Sequence, residues 1–99
     1  MARYDLYRAS EGDDYFLDVQ ANLVGALNTR VVVPILRPHV APSPARRLNP
    51  IIEINKQTYV MVTQFISAVA ASELGEVKGN LGRHHEQIVS ALDMLFQGF

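Results

Sequence analysis

Cysteine is absent from the 99 residues, so a chain this short has no disulfide framework, thiolate nucleophile or cysteine-ligated zinc to draw on. A reducing cytoplasm is therefore the expected location. Excess charge is missing too. Nine basic against ten acidic side chains leave a formal charge of −1, which gives no general attraction for nucleic acid or an anionic membrane. No run approaches the ~18 apolar residues of a membrane span. The N-terminal "MARYDLYRASEGDD" scatters charge among tyrosines without a continuous apolar stretch, which excludes a secretory signal. Catalytic signatures are equally wanting: no G-x-G-x-x-G, P-loop, H-E-x-x-H or nucleophile elbow can be read anywhere.

What is present is apolar material, 48% of the chain against 19% charged, enough for one domain over residues 1–99 with a core only narrowly sufficient to offset folding entropy. Dimerisation would add burial. "RYDLYR", Arg3 to Arg8, alternates loosely and predicts a first strand, ended by the turn cluster Ser10-Glu11-Gly12-Asp13-Asp14. A second strand is predicted over Tyr15 to Gln20, "YFLDVQ". The run "RVVVPIL", Arg30 to Leu36, is continuous rather than alternating, which predicts a strand buried on both faces. Pro34 within it cannot donate to a ladder and requires a bulge or an edge.

Arg37 to Pro50 holds four of the five prolines and reads as an irregular surface excursion. Two β-rich runs follow, Ile51 to Ile54 and Thr58 to Val62, joined by Asn55-Lys56-Gln57 as a hairpin. Ala68 to Ala71 is expected to form a short strand, with Gly75 marking a break. From about Arg83 to Phe96 the chain carries Ile88, Leu92, Leu95 and Phe99 at spacings of four, three and four, an amphipathic helix whose stripe also takes in Ala91 and Phe96. Gly98 breaks it. Five or more strands with one terminal helix amount to a small, mainly β barrel.

Side chains able to do chemistry are few. His84 and His85 are adjacent, so on a helix they diverge by about 100° and cannot chelate one ion together. His39 sits in the proline loop, apart from both. Arg46-Arg47, with Arg37 nearby, makes a small basic patch. Glu11, Asp13 and Asp14 lack the alternating acidic spacing of a calcium loop, and no metal site is expected. The end of the chain, "ALDMLFQGF", is distinctive: Met94, Gln97, Gly98 and Phe99 fall at or past the helix end, where apolar and aromatic groups suit anchoring to another protein.

Taken in order, "FLDVQ" with the apolar pair Leu23-Val24, then "VVVP", "PIIEIN", "LGEVKGN" and "ALDMLFQGF" resemble the CcdB family of bacterial toxins nearly end to end. The resemblance implies a homodimeric SH3-like β-barrel of the CcdB/MazF/Kid kind with one C-terminal α-helix. It implies the toxin of a type II toxin–antitoxin, plasmid-maintenance system that binds the A subunit of DNA gyrase and traps the gyrase–DNA cleavage complex. Such a toxin has no catalysis or cofactor of its own, and a cognate antitoxin removes it through a disordered tail that folds on binding. Carried over by position, the gyrase-facing residues are Leu23, Val24, Asp93, Gln97, Gly98 and Phe99. This sequence departs from the pattern where the family has tryptophan at Gln97, asparagine at Asp93 and an aliphatic residue at Phe99. Two other readings stand beside gyrase poisoning. One is an endoribonuclease built on Arg46, His84 or His85, since MazF and Kid toxins share the fold. The other is a non-toxic dimer kept to bind an antitoxin and regulate transcription.

Overall fold

A computed structural model describes residues 1–9, 12–24 and 26–98. Among them run seven antiparallel strands: β1 (Asp5–Arg8), β2 (Tyr15–Asp18), β3 (Thr29–Leu36), β4 (Ile51–Ile54), β5 (Gln57–Met61), β6 (Ser67–Ala70) and β7 (Val77–Asn80). One helix, α1 (His85–Gln97), follows. The sheet order is β4-β5-β3-β2-β1-β7, and β6 pairs with β3, so the sheet curls into a half-barrel. The turn expected after β1 lies partly outside the described residues, at Ser10 and Glu11.

Period-two alternation decides which side chains meet. Leu6, Tyr15, Leu17, Val33, Ile35, Ile52, Tyr59 and Met61 point to one face, where Ile88 and Ala91 of α1 and Leu81 close the core. Ile88 is fully buried, which contributes about 2–3 kcal/mol. Consecutive residues of a strand point to opposite faces, and Val32 and Val33 are both 0% exposed. The continuous apolar run of β3 is therefore buried on both faces, as its composition predicts. Across the second face, Val69 of β6 and Leu74 line a cleft with Phe16 and Arg8.

Pro34 is not on an edge. β3 is central, bonded to β2 along one side and, along the other, to β6 through Thr29–Val32 and to β5 through Ile35–Leu36. Pro34 occupies the gap between those two partners. Its missing N–H is not required there, while its carbonyl accepts from the Val62 N–H at 3.0 Å.

The β4–β5 turn is shorter than its composition suggests. Ile54 pairs with Gln57, and the two turn residues, Asn55 (φ 51) and Lys56 (φ 65), are both left-handed, as a type I′ turn demands. Asparagine tolerates this conformation; lysine carries a Cβ penalty. Lys56→Gly is expected to raise stability by about 0.5–1 kcal/mol, after the unfolded-state entropy of glycine is discounted. A urea midpoint that stays put or falls would show that the turn is unstrained.

Strand β7 is polar, "VKGN", and its composition gives no strand signal; pairing with β1 from Asp5↔Asn80 to Tyr7↔Val77 creates it. The proline excursion is anchored by Asn49, which is 4% exposed. Its Oδ1 accepts from the Ala45 N–H at 3.0 Å, and its Nδ2 donates to the Met61 carbonyl at 3.1 Å and Gln64 Oε1 at 2.7 Å. Tyr4, left-handed at φ 74, joins the two ends of the fold. Its N–H donates to the Asp18 carbonyl at 2.6 Å, its carbonyl accepts from the Leu81 N–H at 2.8 Å, and its hydroxyl meets His85 Nδ1 at 2.5 Å.

Candidate functional site

Helix α1 begins at His85, with Gly82–His84 forming a 3₁₀ turn before it rather than its first helical turn. It ends where Gly98 turns left-handed at φ 78 and gives its N–H to the Met94 carbonyl at 3.1 Å, an αL cap that suits glycine. Between these points the helix packs against the turn Thr63–Phe65 and buries Ile88 and Ala91, with Leu92 and Leu95 half-buried. Phe96 does not join the stripe. At about 100° per residue it stands 80° from Ile88, on the flank, and it is 69% exposed. Met94 and Gln97 are exposed and Asp93 is half-buried. The tip is thus an uncovered group of Met94, Phe96, Gln97 and Gly98, with the Asp93 carboxylate beside it. Phe99 lies outside the described residues.

Leu23 and Val24 belong to a 3₁₀ turn, Asn22–Val24, with Leu23 99% exposed. The turn rests on a buried polar network. The Asp18 and Arg30 side chains are both wholly buried, with Arg30 Nε and Nη2 reaching Asp18 Oδ2 at 2.8 and 2.6 Å. Asp18 Oδ1 accepts the Gln20 N–H at 3.0 Å. Burial pushes the nearby Tyr7 phenol up from its ordinary value; the Asp5 and Asp18 carboxylates add to this and Arg30 opposes it. Gln20, expected to end β2, lies two residues past it and works through its side chain: Nε2 donates to the Val24 carbonyl at 2.8 Å and Oε1 accepts the Val31 N–H at 3.0 Å. Asp18, a charge inside an otherwise apolar run, and Arg30, at the head of another, are the visible signal of this network. Among the described residues no hydrogen bond joins this turn to the helix tip.

The remaining candidates separate. His85 holds Tyr4, and His84 Nδ1 meets Gln87 Oε1 at 2.9 Å, so the two adjacent histidines have separate partners, while His39 is exposed in the proline excursion. Arg37 lies over the Tyr59 ring at 5.4 Å, whereas Arg47 Nε donates to Ser90 Oγ at 2.7 Å on the helix, so the three arginines do not make one patch. Arg46 is exposed. Two adjoining depressions share Gln87: one is lined by Arg83, His84, His85 and Glu86, the other by Arg47, Pro50 and Ser90. Asp14 Oδ1 is 3.4 Å from the Arg37 N–H, and the described residues hold no cluster of three metal-ligating side chains. No helix among them is long and apolar enough to cross a membrane.

Comparison with known proteins agrees with this architecture. The family described as CcdB protein matches residues 3–98. Among solved structures, a chain described as "Endoribonuclease in complex with its cognate antitoxin from Mycobacterial species" superposes with a TM-score of 0.75 at 19% identity, covering 95% of this chain and 92% of that one. At that identity the likeness is one of fold.

Proposed function

Because this chain belongs to the CcdB family of toxins, we propose that it is the toxin of a type II toxin–antitoxin pair, a cytoplasmic homodimer of one domain per chain that grips the A subunit of DNA gyrase and traps the cleavage complex. A cognate antitoxin with a disordered tail releases it. The observation that carries this reading is the uncovered tip of α1. Met94 and Phe96 are left exposed by their own barrel, at the end of a helix held in place by a buried face and a glycine cap. An exposed aromatic ring such as that of Phe96 makes an interface anchor, because its two side-chain torsions lose little entropy on binding, and the flexible Met94 adapts beside it. The second part of the grip is the Leu23–Val24 turn. The tip offers one carboxylate and one amide, groups suited to binding.

Incubation of the purified protein with gyrase and supercoiled DNA is expected to give linear DNA after denaturation, and a chain truncated before Gly98 is expected to give none. Linear DNA undiminished by truncation would remove Gly98 and Phe99 from the mechanism. RNA cleavage has one juxtaposition in its favour: Arg47, Gln87 and His84 lie along one side of α1, with Arg47 rather than Arg46 turned to the helix. Digestion of RNA, lost in Arg47→Ala and His84→Ala and unaccompanied by linear DNA, would put that reading in place of gyrase poisoning.

A further inference from the structure

Residues 21–24 and 26–28 display Leu23 (99% exposed), Val24 (44%) and Leu27 (55%), three aliphatic side chains with little core contact to hold them. Their geometry must come from the backbone, and the backbone is tied at three places. Near its start Asn22 Oδ1 accepts the Arg3 N–H at 2.9 Å. At its end the Asn28 carbonyl accepts the Ala71 N–H at 2.8 Å. Between them the Val24 carbonyl takes two donors, the Leu27 N–H at 3.3 Å and Gln20 Nε2 at 2.8 Å.

We infer that Gln20 is a positioning residue for target binding, its amide fixing the Leu23–Val24–Leu27 platform from beneath; this rests on the reading that the platform faces gyrase. Gln20 is 8% exposed and is itself held by two groups, Asp18 Oδ1 on its N–H and the Val31 N–H on its Oε1. The amide is consequently oriented, with oxygen toward β3 and nitrogen toward the turn. An oriented amide between a strand and a carbonyl two bonded layers away transmits the rigidity of the sheet to the turn. The buried Asp18–Arg30 pair then has a use besides stability: it holds the carboxylate that seats Gln20. Buried ion pairs contribute little net stability compared with apolar replacements, so a role in fixing one geometry accounts better for its presence.

The test uses Gln20→Met, which keeps length and volume and removes both side-chain hydrogen bonds. Backbone order parameters of Leu23, Val24 and Leu27 are expected to fall from about 0.85 toward 0.6, with those of Leu17 and Ile35 unchanged. Affinity for the purified A subunit of gyrase is expected to weaken about tenfold, as when only a tenth of the molecules hold the competent geometry. In a Leu23→Ala/Val24→Ala background the same substitution is expected to change affinity less than twofold, because its route is already cut. A purely structural role predicts additive losses; that result, or unchanged order parameters, overturns the inference. Should Leu23→Ala/Val24→Ala bind gyrase as tightly as the parent, the target-facing reading itself fails, and the inference with it. A silent Gln20→Met beside a weakened Leu23→Ala/Val24→Ala removes the inference alone.

Discussion

Arg30→Met is expected to destabilise the protein by about 3–5 kcal/mol, roughly 15–30 °C in Tm for a domain of this size. The cause is what the substitution leaves behind. Asp18 is 0% exposed and its Oδ2 is engaged by both Nε and Nη2 of Arg30, so removing the guanidinium strands a carboxylate with no water to replace it. The carboxylate also holds the Gln20 N–H, and the disturbance spreads into the turn. Replacing both partners at once, Asp18→Leu with Arg30→Met, is expected to return only part of the loss, since the apolar pair leaves no buried charge but deprives the Gln20 N–H of its acceptor. Thermal unfolding of the two variants beside the parent measures this directly. A single variant within 1 kcal/mol of the parent would mean that water reaches the pair.

The second large effect concerns the target. Gln97→Trp is expected to lower the concentration needed for half-maximal trapping of gyrase by roughly ten- to thirtyfold, an indole stacked on a cation being worth ~0.5–2 kcal/mol and a central aromatic anchor somewhat more. Gln97 is exposed on the last turn of α1, so the larger ring displaces nothing from the core and the gain appears in binding, not in Tm. Trapping by the variant alone, with none by the natural chain, would identify a scaffold that has given up poisoning. Equal trapping by both would show that position 97 points away from the target.

Much of the fold was legible because burial leaves a period in the sequence. The apolar run of β3, the hairpin β4–β5, the stripe of Ile88, Leu92 and Leu95, and the break at Gly98 each satisfy a local rule with tertiary packing in agreement. β7 was not legible, because Val77-Lys78-Gly79-Asn80 is made a strand by its neighbour β1, and a mostly exposed edge needs no apolar pattern. Phe96 misled for a related reason: helical phase puts it on the flank, and composition alone cannot tell a flank that is covered from one that is bare. The candidate site is a set of positions that the family resemblance alone supplies. Its support was not legible, since Gln20 acts across eleven residues on Val31 and the arginine of the excursion that reaches the helix is Arg47, choices that depend on where the loops travel.

The clasp at Tyr4 bears on the order in which the molecule is assembled. Its hydroxyl partner His85 lies 81 residues away, and β1 closes on β7 across nearly the same span, whereas β1–β2 and β4–β5 join neighbours. Closing so long a loop forfeits chain entropy that rises with the logarithm of its length, and it can occur only after residue 85 has left the ribosome. Hairpins therefore have time to form on a growing chain while the seam stays open. A molecule built in this order presents the candidate tip only once the Tyr4 seam has closed beside it.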